Sequence, residues 1–492
     1  LSGLVGSEMC IRDSITIANV ISGTGALTQM GSGTVVLTGA NSYSGATTIN
    51  AGGALQVGSG GTSGTLGTGA VTDDGALTFN RSDSLTVANA ISGSGVLTQA
   101  GSGVTILTGA NSYAGATTIS AGTLQIGSGG TIGSLGAGAV TDNGTLAFNR
   151  SDSITIANVI SGTGALTQMG SGTVILTGAN SYSGATTINA GGTLRIGSGG
   201  TSGALGTGGV TDNGTLVFNR SDSITIANVI SGSGALTQAG SGTTILTGAN
   251  AYAGGTTISS GVLQIGSGGT AGALGGGAVV DNGVLAINRS DAYTVANAIS
   301  GSGALTQMGS GTLILTGANA YAGTTTINAG GTLQIGSGGT IGTLGTGAVV
   351  DNGTLSFNRS DSITIANAIS GSGALTQMGS GTVILTGANT YAGATTINAG
   401  GLLRVGSGGT SGALGSGAVV DNGTLAFNRS DAITVANAIS GTGALMQAGS
   451  GTIVLTGANA YSGVTTVSSG VLQIGSGGTS GALGSGAVVD NG

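Results

Sequence analysis

The stretch GALTQMGSGTVVLTGANSYSGATTINAGGALQVGSGG, Gly25 to Gly61, decides the fold, because it returns almost unchanged along the chain. The tyrosine of its G-A-N-x-Y phrase stands at Tyr43, Tyr113, Tyr182, Tyr252, Tyr321, Tyr391 and Tyr461, so copies follow at 69 or 70 residues and make seven modules. A strict period of this kind marks a quasi-one-dimensional array in which each module buries its apolar face on the next. The 492 residues therefore read as one array and not as several globular domains. The array is expected to run over residues 13–492, truncated at both ends, behind a head at residues 1–12 that matches no repeat. The head resembles translated adaptor sequence and enters no functional reading.

Each module is completed by TSGTLGTGAVTDDGALTFNRSDSLTVANAISG, which closes the first at Gly93. Short runs of Leu, Val, Ile and Thr alternate with clusters of Gly, Asn, Asp and Ser, the pattern of brief strands joined by tight turns. Period-two alternation places Leu77 with Phe79, and Leu85 with Val87, on one buried face. Similar strands recur about 20 residues apart, at Leu55, Leu77 and Leu97, and then at Leu124. This spacing predicts an all-β right-handed parallel β-helix, a solenoid of seven modules with about three coils each. Phrases such as Asp73-Asp74-Gly75 and Asp142-Asn143-Gly144 read as tight bends, with the residues up to and including Gly supplying positive φ.

Glycine makes up 107 residues without a triplet period, and proline is absent, so collagen and proline-rich linkers are excluded. Only 5% of residues are charged, and nine scattered arginines with no lysine cannot form the basic stripe that nucleic acid needs. Residues 14–72 carry no charge, yet Gly, Ser, Thr and Asn break every apolar run well short of the roughly 18 residues of a spanning helix. No transmembrane helix and no signal peptide are expected within these residues. The single cysteine, Cys10, lies in the head, which leaves the modules without disulfides or thiol ligands.

The residues from Gly25 to Gly58 resemble the autotransporter-associated β-strand repeat, also described as the passenger-associated transport repeat. They carry Gly25-Ala26-Leu27-Thr28-Gln29-Met30-Gly31-Ser32-Gly33-Thr34 and then Leu37-Thr38-Gly39-Ala40-Asn41-Ser42-Tyr43-Ser44-Gly45-Ala46-Thr47-Thr48. Gln29 departs from the lysine common at that place in the family, at a position expected to be exposed. The resemblance implies a bacterial autotransporter passenger, displayed at the cell surface or outside it and carried across the outer membrane by a C-terminal translocator barrel that is missing from this chain. It implies a stalk, or alternatively an adhesin or self-associating fibre that binds a host or matrix surface by its repeated face.

No histidine occurs, which removes the commonest general base and the usual zinc ligand sets. Asp83, Asp152, Asp222, Asp291, Asp361 and Asp431 follow Arg-Ser in N-R-S-D and are expected to pair locally with those arginines. The glycine loop Gly58-Ser59-Gly60-Gly61-Thr62 lacks the aspartate of calcium-binding nonapeptide repeats. No catalytic, cofactor-binding or metal-ligating residue is expected, and no enzyme. One ligand-facing candidate remains. If each module is three coils, Tyr43, Tyr113, Tyr182, Tyr252, Tyr321, Tyr391 and Tyr461 would line one face as a sugar-stacking ladder. The competing reading packs each tyrosine under its own G-A-N-x-Y-x-G loop.

Overall fold

The computed structural model describes residues 14–478 and 480–492, so the head at residues 1–12 lies outside the described residues. All regular structure among the described residues is β, in strands of two to four residues paired in parallel. Strands this short succeed because each is covered above and below by a strand of the adjacent coil, so the ladder supplies the hydrogen bonds that a single short strand could not hold. The fold is a parallel β-solenoid. Contacts divide the chain into two compact units. One runs to Asp222 and takes in Ala227–Thr237, and the other comprises Ser223–Ile226 and Gln238–Gly492.

In the first unit, one eight-stranded sheet runs Ile15–Ile17, Thr34–Leu37, Ala54–Val57, Ala76–Phe79, Val96–Gln99, Thr117–Ile119, Val140–Asp142 and Ile160–Ser161. The expected stacking of Leu55 on Leu77 and of Leu77 on Leu97 is present. Leu124 does not continue it. Its partners are Thr105 and Leu146, in another sheet. The second unit repeats the scheme, with an eight-stranded sheet that begins at Ser223–Ile226 and ends at Ile369–Ser370.

Coil and module do not keep step. From Leu97 the partners run to Thr117, Val140 and Ile160, so three coils advance the chain to residue 160, short of residue 166 where the counterpart of Leu97 stands. A module thus spans three coils and about a third of another. Three consecutive copies of one strand, Leu27–Gln29, Val96–Gln99 and Ala165–Gln168, consequently lie in three different sheets.

The core is a set of columns. Leu37, Val57, Phe79, Ile119 and Ile156 are buried, as are the alternation pairs Leu77 with Phe79 and Leu85 with Val87. Each such side chain contributes roughly 1.5–3 kcal/mol when taken out of water, and the next coil refills the position. The D-x-G bends differ from the expected turn. Gly75 and Gly144 are not among the positive-φ glycines, whereas Gly93, closing the S-G corner, has φ +107°. Gly75 is needed because a Cβ there would lie 2.2 Å from the carbonyl oxygen of Gly53 on the adjacent coil. Close stacking of backbone selects glycine at that bend.

Candidate functional site

Four sets of polar side chains recur from module to module and are held by hydrogen bonds within the chain. The first is the tyrosines. All seven are 0–1% exposed, so they form no outward ladder. The ring of Tyr113 lies against Gly136, where an added Cβ would sit 2.4 Å from a ring carbon. Its hydroxyl shares a 2.8 Å hydrogen bond with Thr117 Oγ1, and Tyr182 does the same with Thr186. Burial, more than any other cause, pushes the Tyr113 and Tyr182 hydroxyls up from the ordinary phenol value, and Tyr321 up to about 12. The reading that packs each tyrosine beneath its loop matches this placement.

The second set was read from the sequence only as part of tight bends. Asp73, Asp142, Asp212, Asp281, Asp351 and Asp421 end a strand inside the core and are 0–1% exposed. One carboxylate oxygen accepts the N–H of the glycine two residues on, at 3.0 Å for Gly75 and Gly144. The other oxygen has no hydrogen-bond partner in any of the six. Burial raises each of these carboxyls to about 6, against the lowering effect of the backbone N–H groups. The signal was present: in Val71-Thr72-Asp73 the alternation that buries Val71 also turns Asp73 inward.

The third set is the N-R-S-D pairs, where the sequence expectation holds. Arg81 grips Asp83 through two hydrogen bonds of 2.8 and 2.7 Å and donates a third to the carbonyl of Gly64. The same bidentate pair recurs at Arg150 with Asp152 and at Arg429 with Asp431. The arginine hydrogen bond holds each of these aspartates below the ordinary carboxylate range.

The fourth set is amides. Gln29 is 8% exposed and Gln99 only 1%, which corrects the expectation of an exposed position. The Gln99 amide donates to the carbonyls of Gly101 and Gly103 and so ties down the G-S-G corner. Asn111 takes over where the strand ladder stops. It accepts the N–H of Ile91 with its side-chain oxygen and donates to the carbonyl of Ser134. Asn180 bridges Ile160 and Ala204 in the same way.

Among the described residues no cluster of three or more Asp, Glu, Cys or His could hold a metal ion, and no helix is long and apolar enough to cross a membrane. What the site inventory defines is a class, a solenoid repeat protein whose polar groups serve its own coils. The family comparison then gives the particular kind. The model of the passenger-associated-transport repeat matches residues 27–57, 97–126, 166–196, 236–265, 305–335, 375–403 and 445–474, one stretch per module. The chain is a tandem array of these autotransporter passenger repeats. Such repeats imply a translocator partner and display at the surface or outside the cell. A search of curated proteins finds no significant match.

Proposed function

We propose that this chain is the structural body of a bacterial autotransporter passenger, a stalk held at the outer surface by a C-terminal translocator barrel, and that it catalyses no reaction. The observation that carries the reading is the direction of the chemistry. The recurring tyrosine, glutamine and asparagine and the aspartate that ends each V-x-D strand are turned inward to tie down their own turns or the next coil, and the six N-R-S-D arginines are held by neighbouring aspartates and carbonyls. The same few groups recur in every module, where an enzyme concentrates unlike groups at one place. An adhesive role would rest on the outer Ser, Thr and Asn positions acting together through many weak contacts.

Reading the gene beyond both ends in its genomic setting tests the proposal. A barrel-coding segment in frame downstream, with an export signal upstream, is the expected result. An open reading frame that closes on both sides without either would overturn the stalk reading and leave the solenoid without a means of display.

A further inference from the structure

The eighth tyrosine of the modules stands apart from the other seven. Tyr293 occupies the strand position that Leu85, Ile154, Ile224, Ile363 and Ile433 hold in other modules. Its hydroxyl oxygen accepts a hydrogen bond from the N–H of Leu274 at 2.8 Å. The guanidinium carbon of Arg289 lies 4.7 Å from its ring centroid, within the range of a cation–π contact. A phenol ring is thus held at two points, by a cation over its face and a backbone donor at its oxygen.

The same frame without the ring stands in the other modules, and 140 residues later its members are Leu414, Arg429 and Ile433, the counterparts of Leu274, Arg289 and Tyr293. The smaller Ile433 leaves a groove of about 300 Å³, lined by these three residues together with Val405, Phe427 and Val435. The N–H of Leu414, unlike that of Leu274, donates to no other described residue. Arg429 is fixed in place by both carboxylate oxygens of Asp431 and by the carbonyl of Gly412. An apolar cavity of about 150 Å³ already takes up benzene, so the volume is ample for one ring.

We propose that this groove is a binding site for a phenol ring supplied from outside the chain, its oxygen on the Leu414 N–H and its face against Arg429. The chain itself shows the ligand class, because Tyr293 fills the equivalent place with such a ring. This inference is independent of the passenger reading and would hold for the isolated chain.

The experiment soaks crystals of the whole chain with p-cresol and with N-acetyl-tyrosinamide, and follows the same ligands by calorimetric titration, with toluene as the ring that lacks the oxygen. The expected result is ring density between Arg429 and Leu414, with toluene binding about tenfold more weakly than p-cresol for want of one hydrogen bond. Ile433→Tyr, whose own ring would fill the groove, should weaken p-cresol binding at this site at least about tenfold while the protein keeps its melting temperature. Tyr293→Ile should open a further site for p-cresol, between Arg289 and Leu274, that the unaltered chain lacks. Binding by p-cresol alone would mark a free phenol as the ligand, and binding by both would extend it to a tyrosyl side chain. Absence of ring density in the groove, equal affinity for toluene, or undiminished binding to Ile433→Tyr would each overturn the proposal.

Discussion

At the scale of the residue, this protein sets hydrogen-bonded polar groups among the apolar columns of its core. A buried hydroxyl pair such as Tyr182 with Thr186 contributes little net when complete, but removing one member strands the other. Tyr182→Phe should therefore cost about 1–3 kcal/mol in denaturant unfolding, and adding Thr186→Val should recover most of it. The inward aspartates make a second prediction. Their carboxyls rise to about 6 in the folded chain from the ordinary 3.8, so between those values the native state binds more protons than the unfolded state. Stability should fall as pH rises from about 4 to about 6 and level off above it. Asp212→Asn should raise the melting temperature at pH about 7 and flatten the pH slope, and a steeper slope in the variant would contradict the assignment. The pairs of Arg81 with Asp83 act in the opposite sense, since a lowered carboxyl gives stability that is lost as the pH falls below the ordinary carboxylate range.

At the scale of the element, the coil is the unit that the backbone recognises, and the module is the unit that the sequence repeats. Their mismatch explains what could be read in advance. Strand type, parallel stacking and buried faces follow from alternation, as Leu77 with Phe79 shows, and the near-20-residue spacing gives the coil. The third of a coil left over could not be read, because loops of unequal length make the partner step 20 residues from Leu97 to Thr117 but 23 from Thr117 to Val140. Only hydrogen bonding shows where the extra residues are taken up. For the same reason the face of each tyrosine was illegible, while the N-R-S-D pairing, which closes over two residues, was plain. Residues that act across coils, such as Asn111 and Asn180, gave no local signal of their role. Glycine tests the packing directly. Gly136→Ala puts a methyl group against the Tyr113 ring, and should destabilise the first unit by about 1–3 kcal/mol, well above the roughly 0.5 kcal/mol of an ordinary surface change, measured by chemical denaturation.

At the scale of the whole molecule, a solenoid has no unique nucleus, and each finished coil presents a template for the next. The modules contain no proline and no cysteine, so neither slow peptide isomerisation nor a disulfide interrupts such addition. Thr98 and Thr118 are register partners on adjacent strands and face outward, which makes them a suitable place for an engineered bridge. Export of the Thr98→Cys, Thr118→Cys pair should stall under oxidising conditions and recover with reductant; equal export in both would contradict vectorial passage of an unfolded chain. The last coil of the second unit is open. Ile474 and Val488 are 42% and 53% exposed, where their counterparts Val405 and Val419 are fully buried. Unpaired edges of this kind recruit further strands, so the 492-residue chain in isolation should associate with itself, and a monodisperse monomer at high concentration in light scattering would contradict that. The most direct test of the central claim is display. The chain is placed between an export signal and a translocator barrel, and protease is added to intact bacteria. The account predicts that the modules are exposed at the surface and resist digestion as folded coils. Modules that stay shielded inside the envelope while the barrel is correctly inserted would contradict it.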